Sequence, residues 1–280
     1  MSQAVVAREV TVVRGERRAL DTSSLAFDVG LMVAVIGPNG AGKSTLLDLI
    51  AGLIPPRSGE IRVLGTSPVL ARRRLAYVVQ GRKLNETMPV TVAEVVQMGR
   101  YASTGWFRRF GRRDREAVAD AMARLRIEEL ASRHLRELSG GERQRVFVAQ
   151  GLAQDHELLL LDEPLTGLDV VSASIIEETM SEERDAGKTV VFATHDLAEA
   201  ARADLVVALA NRCVAVGPPA DVLQVEVLQE VYQQRFVDVG VLLLDDAAHR
   251  PASERHVHRA RTIHTEAPGT DLHPDQSPPR

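Results

Sequence analysis

The sequence predicts an α/β fold, and three observations carry that prediction. Short, nearly continuous apolar runs at Leu31 to Ile36, Glu157 to Asp162 and Thr189 to Ala193 have the length and the Val/Leu content of strands buried on both faces. Each is followed by a stretch of helical period: LLDLIAGL, then Ser172 to Ala186 closed by Gly187, then Leu197 to Ala203. Between Thr91 and Arg136 three helical periods succeed one another without a strand, which places a helical subdomain, about residues 88–138, inside the α/β core.

Val5 to Val13 and Ser24 to Val29 alternate like half-buried strands. Leu31 to Ile36 runs into GPNGAGKST and then the helix LLDLIAGL, and Ile61 to Leu64 and Leu75 to Val79 read as further strands. The helical segment divides into TVAEVVQMGR, DREAVADAMARLRI and EELASRHL. The α/β alternation returns with a helix over Gly141 to Ala153. Leu205 to Leu209 and Cys213 to Val216 form a hairpin around Asn211. Beyond Asp245 apolar periodicity disappears and prolines scatter, so the tail, 245–280, reads as disordered.

Bulk composition narrows the function. The 280 residues are 45% hydrophobic, enough for a sizeable core, but only 4% aromatic. The formal charge of -4 gives no global basic field for nucleic acid. One cysteine excludes an intrachain disulfide and argues against a Cys-based zinc site. MSQAVVAREV lacks the pattern of a signal peptide, and no apolar run approaches the roughly 18 residues of a membrane span. Work at a membrane would require docking on another chain.

Gly37 to Thr45 matches G-x-x-x-x-G-K-[ST] between a predicted strand and a predicted helix. Gly37, Pro38, Asn39, Gly40, Ala41, Gly42, Lys43, Ser44 and Thr45 are the candidate phosphate-binding residues. Glycines let successive N–H groups converge on phosphate oxygens, Lys43 reaches the terminal phosphates, and the Ser44 hydroxyl suits Mg²⁺. LLLLDEP ends a buried strand in two acids. Asp162 suits Mg²⁺ through its water shell, and Glu163, pointing otherwise because strand side chains alternate, suits a general base. Gln80 closes LAYVVQ with a neutral amide able to meet Mg²⁺ or the attacking water, and His195 closes VVFATHD. LSGGERQRV is a second glycine turn before a helix. Ser139, Gly140 and Gly141 make another anion site, and with the first loop already holding one nucleotide this turn serves that of a second copy.

Together GPNGAGKST, Gln80, LSGGERQRV, LLLLDEP, Gly167-Leu168-Asp169 and His195 resemble the ATP-binding subunit of an ABC transporter, over about Val5 to Asp238. The resemblance implies a P-loop NTPase core of ABC type over 1–238, with an antiparallel β subdomain and the inserted helical subdomain. It implies ATP and Mg²⁺, hydrolysis coupled to transport, and a homodimer sandwiching ATP. In that dimer Asp169 lies at the interface, Ser139, Gly140 and Gly141 meet the partner's γ-phosphate, and His195 meets the γ-phosphate of its own ATP. It also implies a separate transmembrane permease, a peripheral place on the cytoplasmic face of the membrane, and an extracytoplasmic solute-binding protein. One departure stands out. Such subunits stack adenine on an aromatic in the first strands, whereas VTVVRGERRAL offers Val13 for packing and Arg14 for guanidinium stacking, which leaves base selectivity open.

The stretch from Met88 to Arg112, with PVTV, V-x-MGRY and GW, resembles ATPase subunits of manganese, zinc or chelated-iron importers. An export ATPase shares every catalytic motif and differs only there. Translation-type ABC ATPases carry two such domains and repair-type ones a long coiled coil, neither of which is present, and a P-loop kinase leaves LSGGERQRV unexplained. His249, His256, His258, His264 and His273 in the tail offer metal donors without fixed geometry, and incidental histidines in a solvated tail are the better reading.

Overall fold

The structure, a computed structural model, describes residues 2–79, 89–101 and 110–232. Gln80, the segment 102–109 of the importer-like stretch and the His-containing tail lie outside the described residues.

Two sheets carry the fold. β2 (Arg17–Asp28), β1 (Gln3–Arg14) and β4 (Ser58–Val63) form an antiparallel sheet in the order β2-β1-β4. The second has six strands in the order β5-β6-β7-β3-β8-β9: β5 (Leu75–Val78), β6 (Leu158–Asp162), β7 (Thr189–Thr194), β3 (Met32–Ile36), β8 (Leu205–Leu209) and β9 (Cys213–Gly217). All its neighbours run parallel except the β8–β9 hairpin. Pairing sets Ile36 opposite Thr194, and Asp162 opposite Ala193, so β3, β6 and β7 end at one carboxyl edge.

Alternation along the central strands divides the core in two. Val33, Val35, Leu158, Leu160, Val191 and Ala193 face α1 (Lys43–Ile50) and the antiparallel sheet. Ala34, Ile36, Leu159, Leu161, Val190 and Phe192 face the side carrying α3 (Val92–Met98), α4 (Arg112–Arg124), α5 (Gly140–Leu152) and α6 (Val170–Asp185). Helix α1 is thus sandwiched between the two sheets, which explains why Leu46, Leu47, Leu49 and Ile50 are all buried. Shorter helices complete the chain: α2 (Pro68–Ala71), α7 (Leu197–Ala200), α8 (Pro219–Val222) and α9 (Val225–Tyr232).

Three expectations change. EELASRHL is not an α-helix but two 3₁₀ turns, Glu128–Leu130 and Leu135–Glu137. The chain between them runs beside the start of α3, where Val92 N–H donates to Arg133 O, Ala93 N–H to Ala131 O and Leu135 N–H to Val90 O. A helix would have consumed those carbonyls internally. Strand β2 is twice the expected length because its polar first half, RRALDTS, pairs with β1 down to Arg14–Arg17. Helix α1 starts at Lys43, inside the glycine loop, rather than after it.

Candidate nucleotide site

The loop from β3 to α1 is shaped by backbone constraints that only glycine meets. Gly37 has φ 150 and a Cβ there would lie 2.3 Å from the Leu209 carbonyl oxygen; Gly42 has φ 102 and would meet Ala19 O at 2.7 Å. Close approach to β8 and β2 therefore fixes both ends of the loop. Gly42 gives α1 no side-chain cap, and no acid stands in the first turn. The orphan N–H groups and positive dipole end of α1 face outward for an anion.

Lys43 is buried and tethered. Its Nζ donates to Gly37 O at 2.8 Å and Pro38 O at 3.4 Å and lies 3.9 Å from Glu163 Oε1. Burial lowers its pKa, opposed by the charges of Glu163 and Asp162. Asp162 ends β6 with Oδ1 buried and without a hydrogen-bond partner. Burial raises its pKa, while a hydrogen bond from Ser44 lowers it. Glu163 follows with φ 49, a left-handed conformation that costs a residue with a Cβ about 1–2 kcal/mol. Its N–H donates to Ala193 O at 3.1 Å, and Thr166 Oγ1 donates to its Oε2 at 3.4 Å. The turn thus swings the Glu163 carboxylate out of strand register toward Lys43.

A cleft of about 460 Å³ opens over the loop, lined by Asn39, Gly40, Gly42 to Thr45 and Glu163 on one side and by Arg14, Arg17 and Ala19 on the other. Ser139, Gly140, Asp169 and His195 are not among its lining residues. Ser139 caps α5 in a capping box: its Oγ accepts from Glu142 N at 3.2 Å, and Ser139 N–H donates to Glu142 Oε2 at 2.8 Å. Ser139 and Gly140 are exposed, so the Ser139 O–H and the Gly140 N–H are left to donate outward, whereas Gly141 is buried. A Cβ on Gly141 would lie 2.4 Å from Ser172 Oγ and 2.5 Å from Asp169 Oδ2. Asp169 itself caps α6, accepting from Ser172 N–H at 2.9 Å, so the second glycine turn and Asp169 form one unit within the chain. His195 is exposed at the end of β7, between Thr194, whose Oγ1 donates to Glu199 Oε2 at 2.5 Å, and Asp196, which caps α7.

Three residues of this region escape a reading of the sequence alone. Arg17 reaches the loop, its Nη2 3.6 Å from where a Gly40 Cβ would stand. Asp48 lies one helical turn beyond Ser44 and binds Arg14 through Oδ2, while Tyr77 Oη donates to Asp48 Oδ1 at 3.1 Å. The spacing of Asp48 from Ser44 is the one signal that places it on the loop's face of α1.

Residues 20–166 match the family described as ABC transporter. The chain belongs to that family. As an ABC transporter ATPase it binds and hydrolyses ATP. It is 40% identical to the manganese transport system ATP-binding protein of Halalkalibacterium halodurans, over 83% of this chain and 93% of that one. The zinc transport system ATP-binding protein of Treponema pallidum is 38% identical over 83% of this chain and 88% of its own length. The hemin import ATP-binding protein of Streptomyces coelicolor is 43% identical over 79% and 80%. Among solved structures, a dimeric post-hydrolysis ATP-binding cassette holding ADP and Pi superposes with a TM-score of 0.67 at 27% identity, over 77% of this ABC chain and 98% of that cassette. No helix among the described residues is long and apolar enough to cross a membrane.

Proposed function

We propose that this chain energises import of a transition-metal ion or an iron chelate, working as a head-to-tail homodimer docked on a separate permease at the cytoplasmic face of the membrane. The observation that carries the cargo is the set of relatives, whose names specify manganese, zinc and hemin transport. An extracytoplasmic solute-binding protein completes such a system.

The geometry supports the following division of labour. The loop amides and the N-terminus of α1 bind the β- and γ-phosphates, and Lys43 exchanges its carbonyl tethers for phosphate oxygens. Glu163, aimed by its left-handed turn, takes a proton from the attacking water. Ser44 and Asp162 suit Mg²⁺, because a hard cation needs oxygen donors and Asp162 Oδ1 is a buried oxygen without a partner. That ion, bound with the nucleotide, supplies charge neutralisation at the phosphate oxygens. Gln80 is proposed as a further contact there. Ser139, Gly140 and Gly141 donate to the γ-phosphate of the partner's ATP, with Asp169 beside them, and His195 to that of its own.

Cells carrying Glu163→Gln test both levels of this reading. Elemental analysis under manganese, zinc and iron limitation is expected to show a deficit of one metal against wild type. Equal contents of all three would remove the metal cargo. The purified variant is expected to retain ATP binding and lose hydrolysis by about 100-fold or more. Hydrolysis at the wild-type rate would remove Glu163 as general base.

A further inference from the structure

His195 is exposed at the end of β7, yet the residues on either side of it belong to a closed ring of hydrogen bonds. The Asp196 N–H donates to Thr194 Oγ1 at 3.0 Å. The Thr194 hydroxyl donates in turn to Glu199 Oε2 at 2.5 Å, and the Glu199 N–H returns to Asp196 Oδ1 at 3.4 Å. The polarity of the ring is fixed. A backbone N–H can only donate, so Thr194 Oγ1 accepts from Asp196 and spends its single proton on Glu199. Thr194 is buried and stands opposite Ile36 in the β3–β7 pairing, which anchors the ring beside the residue that precedes Gly37.

Glu199 is costly where it stands. It is half-buried at a cavity of about 220 Å³ between α6 and α7, whose lining includes Met32, Met180 and Phe192. Burial raises its pKa, the Thr194 hydrogen bond opposes that, and the charges of Asp196 and Glu177 add to the rise. No cation forms an ion pair with Glu199 among the described residues, and Arg202, three residues on, is taken by Glu177 at 2.6 Å. A carboxylate that gives up water without gaining a cation does little for stability, and what it holds is the Thr194 hydroxyl. We propose that Glu199 is a positioning residue for hydrolysis: it locks Thr194, and through Thr194 the Asp196 amide, so that the backbone on both sides of His195 is fixed and the imidazole is aimed at the γ-phosphate. This rests on the reading of His195 as a γ-phosphate contact. Thr194, Asp196 and Glu199 are not among the residues lining the nucleotide cleft, so Glu199 acts on the rate through His195 and not on the binding of ATP.

Steady-state hydrolysis by the full chain, with ATP affinity titrated separately, tests this role. Glu199→Ala is expected to lower kcat about ten- to a hundredfold, the loss that follows a small misplacement of a group at the reacting phosphate, with the Kd for ATP within about twofold of wild type. Thr194→Val, which keeps the shape and removes the hydroxyl, should match it. Glu199→Gln should keep kcat within about threefold of wild type, because its amide carbonyl accepts the same hydrogen bond. Adding Glu199→Ala to His195→Ala should lower kcat no further, since nothing is left to position. A slow His195→Ala beside a Glu199→Ala of wild-type rate would overturn the positioning role alone. So would a Glu199→Gln as slow as Glu199→Ala, or losses that multiply in the double variant, which mark a general structural role. A His195→Ala chain that hydrolyses ATP at the wild-type rate would instead overturn the reading of His195 on which the proposal rests, and the proposal with it.

Discussion

Lys43 shows how one residue of the site is held ready. A buried ammonium without partners would lose its proton, and this one keeps company with two carbonyls and a carboxylate. Those carbonyls are weak tethers beside a triphosphate, so Lys43 is positioned at little cost to its proposed role on the phosphates. Lys43→Ala removes charge-assisted hydrogen bonds to phosphate worth about 1.5–3 kcal/mol, so nucleotide affinity is expected to fall roughly ten- to a hundredfold. Titration with a fluorescent ATP analogue measures it, and an unchanged Kd would falsify the phosphate-loop assignment. The acids beside it differ in kind: Asp162 ends its strand in register, whereas Glu163 leaves the strand through a left-handed turn. That difference was foreseeable as a divergence of two adjacent carboxylates. The positive φ that produces it was not, since nothing in the string Leu161-Asp162-Glu163-Pro164 marks Glu as left-handed.

At the scale of elements, ion pairs fasten the helical segment to the core. Arg100, 5% exposed, bonds Asp114 at the start of α4 through Nε at 3.0 Å and Asp155 before β6 through Nη1 at 2.9 Å. Gly99 beside it is pressed against α5, where a Cβ would lie 2.2 Å from Gln150 O. The Gly99-Arg100 portion of the importer-like stretch thus has packing reasons of its own, independent of cargo. Arg100→Met leaves Asp114 buried without this partner and is expected to cost about 3 kcal/mol in denaturant unfolding. A loss under about 0.5 kcal/mol would count the bridge as ornamental. Glu183 on α6 binds Arg124 of α4 at 2.6 Å, His156 at 2.6 Å and Lys188 at 2.8 Å. Burial raises its pKa, but hydrogen bonds from His156, Lys188 and Arg124 outweigh that and hold it well below the usual carboxylate range. A depressed folded-state pKa stabilises above the ordinary glutamate value and loses that contribution as pH falls below it. Wild type should therefore lose stability from about pH 4.5 downward, and Glu183→Gln should lose less over that range. Parallel melting profiles against pH would show that this group does not set the acid limb. The two clusters also mark where sequence reading stops. Glycine loops, strand ends and the capping serine announce themselves because one short stretch must satisfy one local backbone demand. Arg14–Asp48 and Tyr77–Asp48 join residues 34 and 29 apart, and EELASRHL yields its helix to hydrogen bonds with α3, so neither could be read from local period.

On the scale of the whole molecule, the proposed dimer makes of each chain two incomplete halves of an ATPase. The cleft that holds Lys43 and Glu163 is not lined by Ser139 or Gly140, and those two are exposed at the start of α5 with donors to spare. Under the proposed assignment a single chain offers a phosphate loop without its lid and a lid without its phosphate. A two-fold pair satisfies both at once, since an isologous arrangement places each chain's glycine turn over the other's loop. This geometry makes a quantitative demand on mixed variants. Lys43→Ala disables a loop, and Ser139→Arg disables a lid; alone, each leaves every composite site of its own homodimer broken. Mixing the two chains yields heterodimers in which one site joins both defects and the other joins neither. With random pairing, half the dimers are mixed and each carries one intact site of two, so recovery to about a quarter of wild-type hydrolysis is expected if the sites act independently. Strict coupling between the sites, through the contact of Asp169 with Gly141, would push recovery below that value while ATP binding at the intact site persists. Recovery of neither binding nor hydrolysis would mean that the second glycine turn serves its own chain, and the head-to-tail dimer would have to be abandoned.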